Sequence, residues 1–446
     1  MTDIGQRITA FVRRLSAEDV NMHGWILSVN GRDIAEALYG PFRDDQPHRL
    51  YSISKTMTGL AIGLLMDEGK LRPDQRIADF FPDWLPADPS PWLTELTIGD
   101  MLRMATCYRR TTYREGIDEN WAQTFFTDTP HHAPGTVFNY DTSCSQVLAA
   151  LVKRLSGLEV IDFLDGKLFR PLGLRDERFW LRDPSGCCQG GSGLCMSLRD
   201  LHRVGLCLLR GGEGLLPAWY VSRMSEKQID TPLQTNPEER WGYCWQCWRT
   251  RCGWSMYGMG GQLSIFCPDR QVLLTTFADT RLDPYGVQRI YDAFFEELYP
   301  YLDTDTASAG ETLRLPIPAV PDLAEPAMTD SPLYRFGDNP LGLRALRLAD
   351  GCLEYENSRG PVRLPFGRGE AIEAAYPGWP EVPALVSGGW ISPDQLRVRC
   401  HAVGTAPCGF DLLLRFEPGR VTAQAHRSND PLTDGYDGTA TGLAEG

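Results

Sequence analysis

The sequence predicts an α/β (α+β) fold, in which an antiparallel sheet is flanked by helices, carries an inserted helical region and is followed by a small β-barrel domain. Three observations lead to this prediction. Strand patterns occur near the start of the chain and again over residues 241–278, helical patterns fill the middle, and short apolar runs follow a proline-rich segment. We therefore predict a first domain over 1–302, a Pro-rich linker over 303–330, a β domain over 331–440 and a tail over 441–446.

The first domain begins with a helix and a hairpin. Residues 3–17 have apolar side chains at helical spacing. Asn30-Gly31 joins two strand patterns, over 24–29 and 34–39, and both of these residues tolerate the positive φ of a tight turn. A strongly apolar helix is predicted from Ser52 to Glu68. Further helices are predicted over 98–104, 145–155, 160–168, 198–209 and 287–298, and strands over 241–249, 256–266 and 271–278.

The second domain carries the pattern of a small barrel or sandwich. Its apolar runs are short, and Gly and Pro separate them at regular intervals. Strands are expected to include residues 343–348, 395–398 and 410–416, whereas the end of the chain from Gly435 to Gly446 is predicted to be frayed. The sequence shows no catalytic constellation in this domain.

Composition excludes several classes of function. The chain has 446 residues and a net charge of −14, so a nucleic-acid partner is not expected. It lacks an apolar stretch of the roughly 18 residues needed to span a bilayer, and its first twenty residues lack an apolar signal core. We therefore expect a cytoplasmic protein without a membrane partner.

Thirteen cysteines raise the question of disulfides or a metal site. Because the number is odd and the chain is large, we expect mostly reduced, buried thiols. Cys244 and Cys247, with Cys252 nearby, suggest a metal or redox pair. However, no His lies close in sequence, and the segment has the pattern of a strand. No metal or organic cofactor is predicted.

The first candidate site is Ser52-Ile53-Ser54-Lys55 at the start of the apolar helix. Residues three apart on a helix lie on one face, with their Cβ atoms about 5–6 Å apart. A partly buried lysine loses its proton more easily and can activate a serine hydroxyl as a nucleophile. The alternative is an N-cap serine with a solvated lysine one turn on, and the motif alone favours it. Lys55 is, however, one of only five lysines in the chain.

The second and third candidate sites lie far along the chain. A Pro-Gly turn leads to Tyr140 just before an apolar helix, where a phenol beside a cationic lysine could accept and return the serine proton. A packed loop tyrosine is the alternative. Tyr257 to Gln262 contains three glycines at the start of a predicted strand, where a free N–H could stabilise an oxyanion. Packing glycines or a bulge would explain the same pattern.

Taken in order, these motifs resemble those of the serine β-lactamase and penicillin-binding-protein-like hydrolases, and in particular the class C-type esterase, amidase and D-peptidase branch. Thr97 to Leu102 and Gly190 to Leu201 resemble two further stretches of that family. The resemblance covers about residues 5–300. It implies Ser52 as nucleophile, Lys55 as its partner and Tyr140 as the base of the second motif. It further implies that Met259-Gly260-Gly261 forms the third motif and that the N–H groups of Ser52 and Gln262 form the oxyanion hole.

Two departures from the family pattern bear on the substrate. The second motif ends in Thr142 where the family usually has Asn, which often holds a substrate amide. The third motif begins with Met259 where the family has Lys or His, and such a cation helps to bind the carboxylate of a β-lactam. We therefore expect little hydrolysis of penicillins and predict a small-molecule ester or uncharged amide as substrate. Some relatives carry a lipocalin-like barrel after the catalytic part, and the predicted β domain is similar to it.

Aromatic residues between Cys107 and His132 are candidates for a cleft wall. Tyr108 and Trp121 are the ones we expect to contact substrate, in company with Tyr113, Phe125 and Phe126. Packing of these rings against each other is an equal alternative. The predicted function is a serine hydrolase working through an acyl-enzyme. A transacylase or peptide cyclase, a D-amino-acid peptidase or amidase, and an inactive binding protein on the same fold stay open.

Overall fold

A computed structural model describes residues 4–116, 118–306, 312–428 and 430–445. Its α-helices are α1 (Ile4–Ala17), α2 (Ile53–Asp67), α3 (Ile77–Phe80), α4 (Pro91–Glu95), α5 (Ile98–Leu102), α6 (Trp121–Thr127), α7 (Thr142–Ser156), α8 (Val160–Leu164), α9 (Leu198–Leu209), α10 (Ala218–Ser225) and α11 (Gly286–Ala293). Single π-helical turns, Asp165–Phe169 and Phe294–Leu298, extend α8 and α11. No helix among these described residues is both long and apolar enough to cross a bilayer.

The strands form three sheets. In chain order they are β1 (Met22–Val29), β2 (Arg32–Gly40), β3 (His48–Arg49), β4 (Phe179–Trp180), β5 (Leu194–Met196), β6 (Trp248–Thr250), β7 (Gly253–Gly258), β8 (Gln262–Cys267), β9 (Val272–Ala278), β10 (Thr312–Pro316), β11 (Tyr334–Phe336), β12 (Ala345–Ala349), β13 (Cys352–Asn357), β14 (Gly360–Pro365), β15 (Gly367–Arg368), β16 (Ile372–Tyr376), β17 (Trp379–Ser392), β18 (Gln395–Ala402), β19 (Gly409–Glu417), β20 (Arg420–Arg427) and β21 (Gly438–Ala444).

A seven-stranded sheet organises the first part of the chain. Its order is β10-β2-β1-β9-β8-β7-β6, with every pair antiparallel except β10 beside β2. Apolar side chains of α1 and α11 cover one face, while α9 and α2 pack on the other. The sheet thus combines strands from both ends of the domain, and the helical region lies between them in sequence. The fold-class prediction is confirmed.

The second part of the chain is a nearly closed barrel. Its strands follow the order β14-β13-β12-β11-β21-β20-β19-β18-β17-β15, with β16 beside β17. Large apolar side chains fill the interior, where the hydroxyls of Tyr355 and Tyr436 hydrogen-bond at 2.6 Å. The barrel is packed against the first domain by an ion-pair cluster. Arg399 bonds Asp19 of the first domain at 2.6 Å and Asp411 of the barrel at 2.9 Å.

The structure corrects the strand predicted over residues 241–249. A 3-10 turn ends at Trp241, an irregular turn follows, and only the short β6 is extended. The reason is tertiary, because Gln246 serves the end of helix α5. Its backbone N–H donates to the Leu102 carbonyl at 2.9 Å, and its side chain donates to the Met101 carbonyl at 3.1 Å.

Three other expectations about the chain also change. The strand predicted over 256–266 is two strands, because Gly260 and Gly261 adopt positive φ and form a hairpin loop. The end predicted to be frayed forms β21, which pairs with β11 and β20. Within the predicted linker, β10 pairs with β2 as an edge strand of the first sheet. The domain boundaries themselves stay a prediction.

The cysteines behave as expected with one exception. Cys252 and Cys267 form a disulfide across the hairpin of β7 and β8. The other eleven are free and buried, including Cys244 and Cys247. Within the described residues, no group of three His, Cys, Asp or Glu side chains is arranged to hold a metal ion.

Candidate active site

Ser52 lies where strand β3 turns into helix α2. The residue before it, Tyr51, has a φ of +47°, a left-handed conformation that an aromatic residue rarely adopts. Ser52 itself is the N-cap of α2 and is half-buried, whereas the following three turns of the helix are buried. Among the described residues, the Ser52 backbone N–H has no acceptor. The bend thus presents the hydroxyl and a free N–H at the edge of the core.

Lys55 lies one turn into the same helix and points back to Ser52. Its Nζ is 3.0 Å from the Ser52 Oγ and donates to the Gly191 carbonyl at 2.7 Å. Only 1% of Lys55 is exposed, and this burial lowers its pKa to about 7 against the weaker opposing effects of Cys144 and Asp141. At neutral pH the amine therefore carries its proton only about half of the time.

A glycine-rich loop holds the helix from outside. The carbonyl of Gly190 accepts a bond from Thr58 Oγ1 at 2.8 Å, one turn along α2 from Lys55. Gly191 lacks a side chain for a steric reason, since a Cβ there would lie 2.5 Å from the Thr142 side chain and 3.3 Å from Lys55 Nζ. The sequence pattern of this segment predicted no role for it, whereas in the structure its Gly191 carbonyl orients the lysine.

Tyr140 enters the same site from the loop before α7. The Lys55 Nζ lies 4.9 Å from the centre of its ring, and the ring stacks on Trp248 at 5.5 Å. Burial raises the pKa of the phenol, and the facing Ser52 hydroxyl offsets only part of this effect. The expectation that Lys55 would favour a phenolate is not met in the free protein. At neutral pH the phenol is therefore protonated, and the Lys55 amine is the one of the two groups whose pKa lies near 7.

The residues after Tyr140 anchor it to α7. Asp141 is fully buried and caps the helix by accepting the Ser143 N–H at 2.8 Å. Burial raises its pKa to about 6. Thr142 is the first residue of α7, beside Gly191, and its N–H donates to Thr111 Oγ1 at 3.2 Å.

The third motif forms the hairpin loop between β7 and β8. Gly258 lies against the segment that carries the serine, because a Cβ on it would come within 2.1 Å of the Leu50 carbonyl oxygen. The side chain of Gln262 fixes the loop by donating to the carbonyls of Met259 at 2.8 Å and Ala278 at 2.9 Å. Met259 is 41% exposed. The loop that carries the proposed oxyanion donor is therefore held by hydrogen bonds and lies beside the segment that carries Ser52.

The aromatic wall is where the structure departs from the expected site. Tyr108 is fully buried, with its hydroxyl bonded to the Phe125 carbonyl. Trp121 is 3% exposed and stacks on Tyr113 at 4.3 Å. These rings stabilise the helical region and do not face an open cleft. The sequence identifies a cluster of aromatic residues, but it does not show which of them face the core and which face the cleft.

A family profile and two curated proteins match parts of the chain. The profile of the Beta-lactamase family matches residues 12–293. The 6-aminohexanoate-dimer hydrolase of Paenarthrobacter ureafaciens is 29% identical over 195 residues, 40% of this chain and 50% of that protein. Esterase EstB of Burkholderia gladioli is 29% identical over 188 residues, 37% of this chain and 47% of that protein. The matches thus span about half of the length of these curated relatives.

Solved structures share the fold at lower identity. D-amino acid amidase from Ochrobactrum anthropi SV3 has a TM-score of 0.52 at 15% identity, covering 66% of this chain and 98% of that one. SurE with D-Leu has a TM-score of 0.53 at 18% identity and covers 99% of both chains, the barrel included. Since the family profile spans more than half of the residues, the chain belongs to the Beta-lactamase family.

Proposed function

We propose that the protein is a serine hydrolase that forms an acyl-enzyme on Ser52. The observation that carries the proposal is the contact between the Lys55 amine and the Ser52 hydroxyl at 3.0 Å, inside a site where the pKa of the lysine is lowered to about 7. A neutral amine at that distance can remove the hydroxyl proton at physiological pH. The names of its relatives, an esterase and an amide hydrolase, support hydrolysis of an ester or amide.

The reaction follows from the positions of these groups. The Ser52 oxygen attacks the substrate carbonyl carbon while Lys55 accepts the hydroxyl proton. The N–H groups of Ser52 and Gln262 stabilise the oxyanion. Tyr140, still protonated, donates its proton to the leaving group and is reprotonated from Lys55. Water then attacks the acyl-enzyme with the same base, which releases the acid and restores the serine.

The third motif limits the charge that the substrate can carry. Met259 brings no charge to the position where a cation would bind a carboxylate next to the scissile bond. We propose that the substrate is an ester or an amide with no charge at that position. Thr142, which offers one hydroxyl in place of an amide, suits esters better than peptides.

Replacement of Ser52 tests the proposal. We expect S52A to lose at least about 10³-fold of the kcat/KM for p-nitrophenyl butyrate, since the nucleophile carries the covalent step. The circular dichroism spectrum should stay unchanged. Intact mass spectrometry should find a butyryl adduct on the wild type and none on S52A. Equal turnover by S52A would contradict the proposal.

Three further measurements distinguish the proposed hydrolase from the other functions. Transfer of the butyryl group to added amines or alcohols, faster than to water, would identify a transacylase or peptide cyclase. Faster release of ammonia from D-phenylalaninamide than from butyramide would favour a D-amino-acid amidase. A wild-type Ser52 that resists a fluorophosphonate probe would favour an inactive binding protein.

A further inference from the structure

Arg49 is three residues before the nucleophile and lies at the edge of the same site. Its Nε donates to the Ser192 carbonyl at 3.1 Å, and its guanidinium carbon lies 4.9 Å from the centre of the Tyr51 ring. The residue is half-buried. Its side chain is therefore held at one end by a backbone carbonyl, which leaves the two terminal nitrogens for another partner.

The position of Arg49 is fixed relative to the catalytic lysine. Lys55 donates to the carbonyl of Gly191, and Arg49 donates to the carbonyl of the next residue, Ser192. Consecutive Cα atoms are about 3.8 Å apart, so the two side chains end at neighbouring points of one loop. Arg49 thus lies within reach of a substrate bound to Ser52.

The charge of Arg49 is not neutralised by the protein. The chain has 58 acidic and 44 basic residues, yet in the described ranges no acidic side chain forms an ion pair with Arg49 and its terminal nitrogens have no acceptor. By contrast, Arg281, whose guanidinium carbon lies 5.4 Å from the centre of the same Tyr51 ring, bonds Asp279 at 2.7 Å. A guanidinium keeps its charge at every pH that the protein tolerates.

A loop of the barrel contacts the segment that carries Arg49. The Arg49 backbone N–H donates to the carbonyl of Thr405 at 2.6 Å, and Arg281 donates to the carbonyl of Pro407. The barrel loop around residues 403–408 therefore packs against the backbone of Arg49. Arg49 is half-buried, so an ionic contact there is screened less than in open water, and a guanidinium binds a carboxylate through two parallel hydrogen bonds.

We propose that Arg49 is a specificity-determining residue that binds a carboxylate of the substrate. The inference rests on the proposed function, because it places the carboxylate relative to an ester or amide bound at Ser52. It also refines that function. The family's cation is missing at Met259, whereas Arg49 supplies a cation on a different side of the site. The carboxylate of the substrate would therefore lie at a distance from the third motif.

Matched ester pairs test the inference and locate the carboxylate. One pair is p-nitrophenyl hemiglutarate and p-nitrophenyl 4-carbamoylbutanoate, which differ by a charge on the acyl group. The other is 4-carboxyphenyl butyrate and 4-carbamoylphenyl butyrate, which differ by a charge on the leaving group. For each pair the ratio of kcat/KM, charged over neutral, is measured in wild type, R49Q, R49K and R344Q. Arg344 is an exposed barrel residue and controls for net charge.

We expect the ratio for one pair to fall about tenfold or more in R49Q, as for the loss of a hydrogen bond to a charged group. It should recover partly in R49K and stay at the wild-type value in R344Q. The pair that responds identifies the acyl group or the leaving group as the carrier of the carboxylate. Equal ratios in wild type and R49Q for both pairs would overturn the inference.

Direct binding separates this inference from the proposed function. Calorimetry on S52A measures the Kd of p-nitrophenyl hemiglutarate and of 4-carboxyphenyl butyrate without turnover. Weaker binding of either ester in the double variant S52A/R49Q supports Arg49 even if Ser52 proves not to be the nucleophile. Unchanged binding of both refutes the role of Arg49 even if Ser52 forms the acyl-enzyme.

Discussion

We predict that burial of Lys55 sets the pH range of the proposed reaction. Its pKa falls from the ordinary 10.5 to about 7, and a shift of this size corresponds to about 5 kcal/mol of lost preference for the charged form. In the proposed mechanism the neutral amine is the base. The rate should therefore rise as pH increases through 7 and reach about one tenth of its plateau at pH 6.

Two substitutions distinguish this explanation from others. K55R keeps a cation that does not lose its proton, so it should be inactive across the whole range. D141N removes a negative charge that raises the pKa of Lys55, and asparagine still caps α7. Its acidic limb should shift to lower pH.

The assay is kcat/KM for p-nitrophenyl acetate from pH 5.5 to 9, read at a wavelength where both forms of p-nitrophenol absorb equally. A rate that still rises about tenfold per pH unit at pH 9, as for an amine with the ordinary pKa of 10.5, or an active K55R, would refute this explanation. Either result would exclude the neutral Lys55 amine as the base at neutral pH.

Three other predictions concern positioning and stability. Gly191→Ala puts a methyl group against Thr142 and next to the lysine, so we expect kcat/KM to fall at least about tenfold and the acidic limb to move; an unchanged pH profile would contradict the positioning role. Arg399→Met removes the buried guanidinium between Asp19 and Asp411 and leaves only Arg397 beside these carboxylates, so it should lower the free energy of unfolding by about 1.5–3 kcal/mol in urea titrations, whereas an unchanged midpoint would show that the cluster adds no stability. Burial lowers the pKa of His48 and of His401 from 6.5 to about 4, so the stability they contribute is present above pH 6.5 and should fall by about 2 kcal/mol each at pH 5; an equal Tm at pH 7.5 and pH 5 would argue against this.

Local patterns in the sequence predicted much of the fold. Helix α2 was predicted within one residue at each end and α9 at the same residues, because apolar residues at helical spacing mark both helices and Ser197 caps α9. The pairing of β1 and β2 followed from Asn30-Gly31. The spacing of Ser52 and Lys55 on one helix face also predicted their proximity.

Other features depend on contacts that the sequence does not reveal. The turn around Gln246 exists because a distant helix needs partners for its last carbonyls. The Gly191 carbonyl that orients Lys55 is a backbone atom 136 positions away. Burial raises the pKa of Tyr140, whereas the neighbouring amine of Lys55 led us to predict a lowered pKa.

The position of strand β10 bears on where the protein can be truncated. This strand covers the outer edge of β2 and comes from the stretch beyond residue 302 that composition marked as a spacer. A fragment ending at residue 302 would expose the unsatisfied N–H and C=O groups that β2 presents to β10 over residues 36–40. It would also lose the loop that bonds Arg49 and the guanidinium that pairs with Asp19. We therefore expect such a fragment to self-associate through its open edge more readily than one that extends past residue 316.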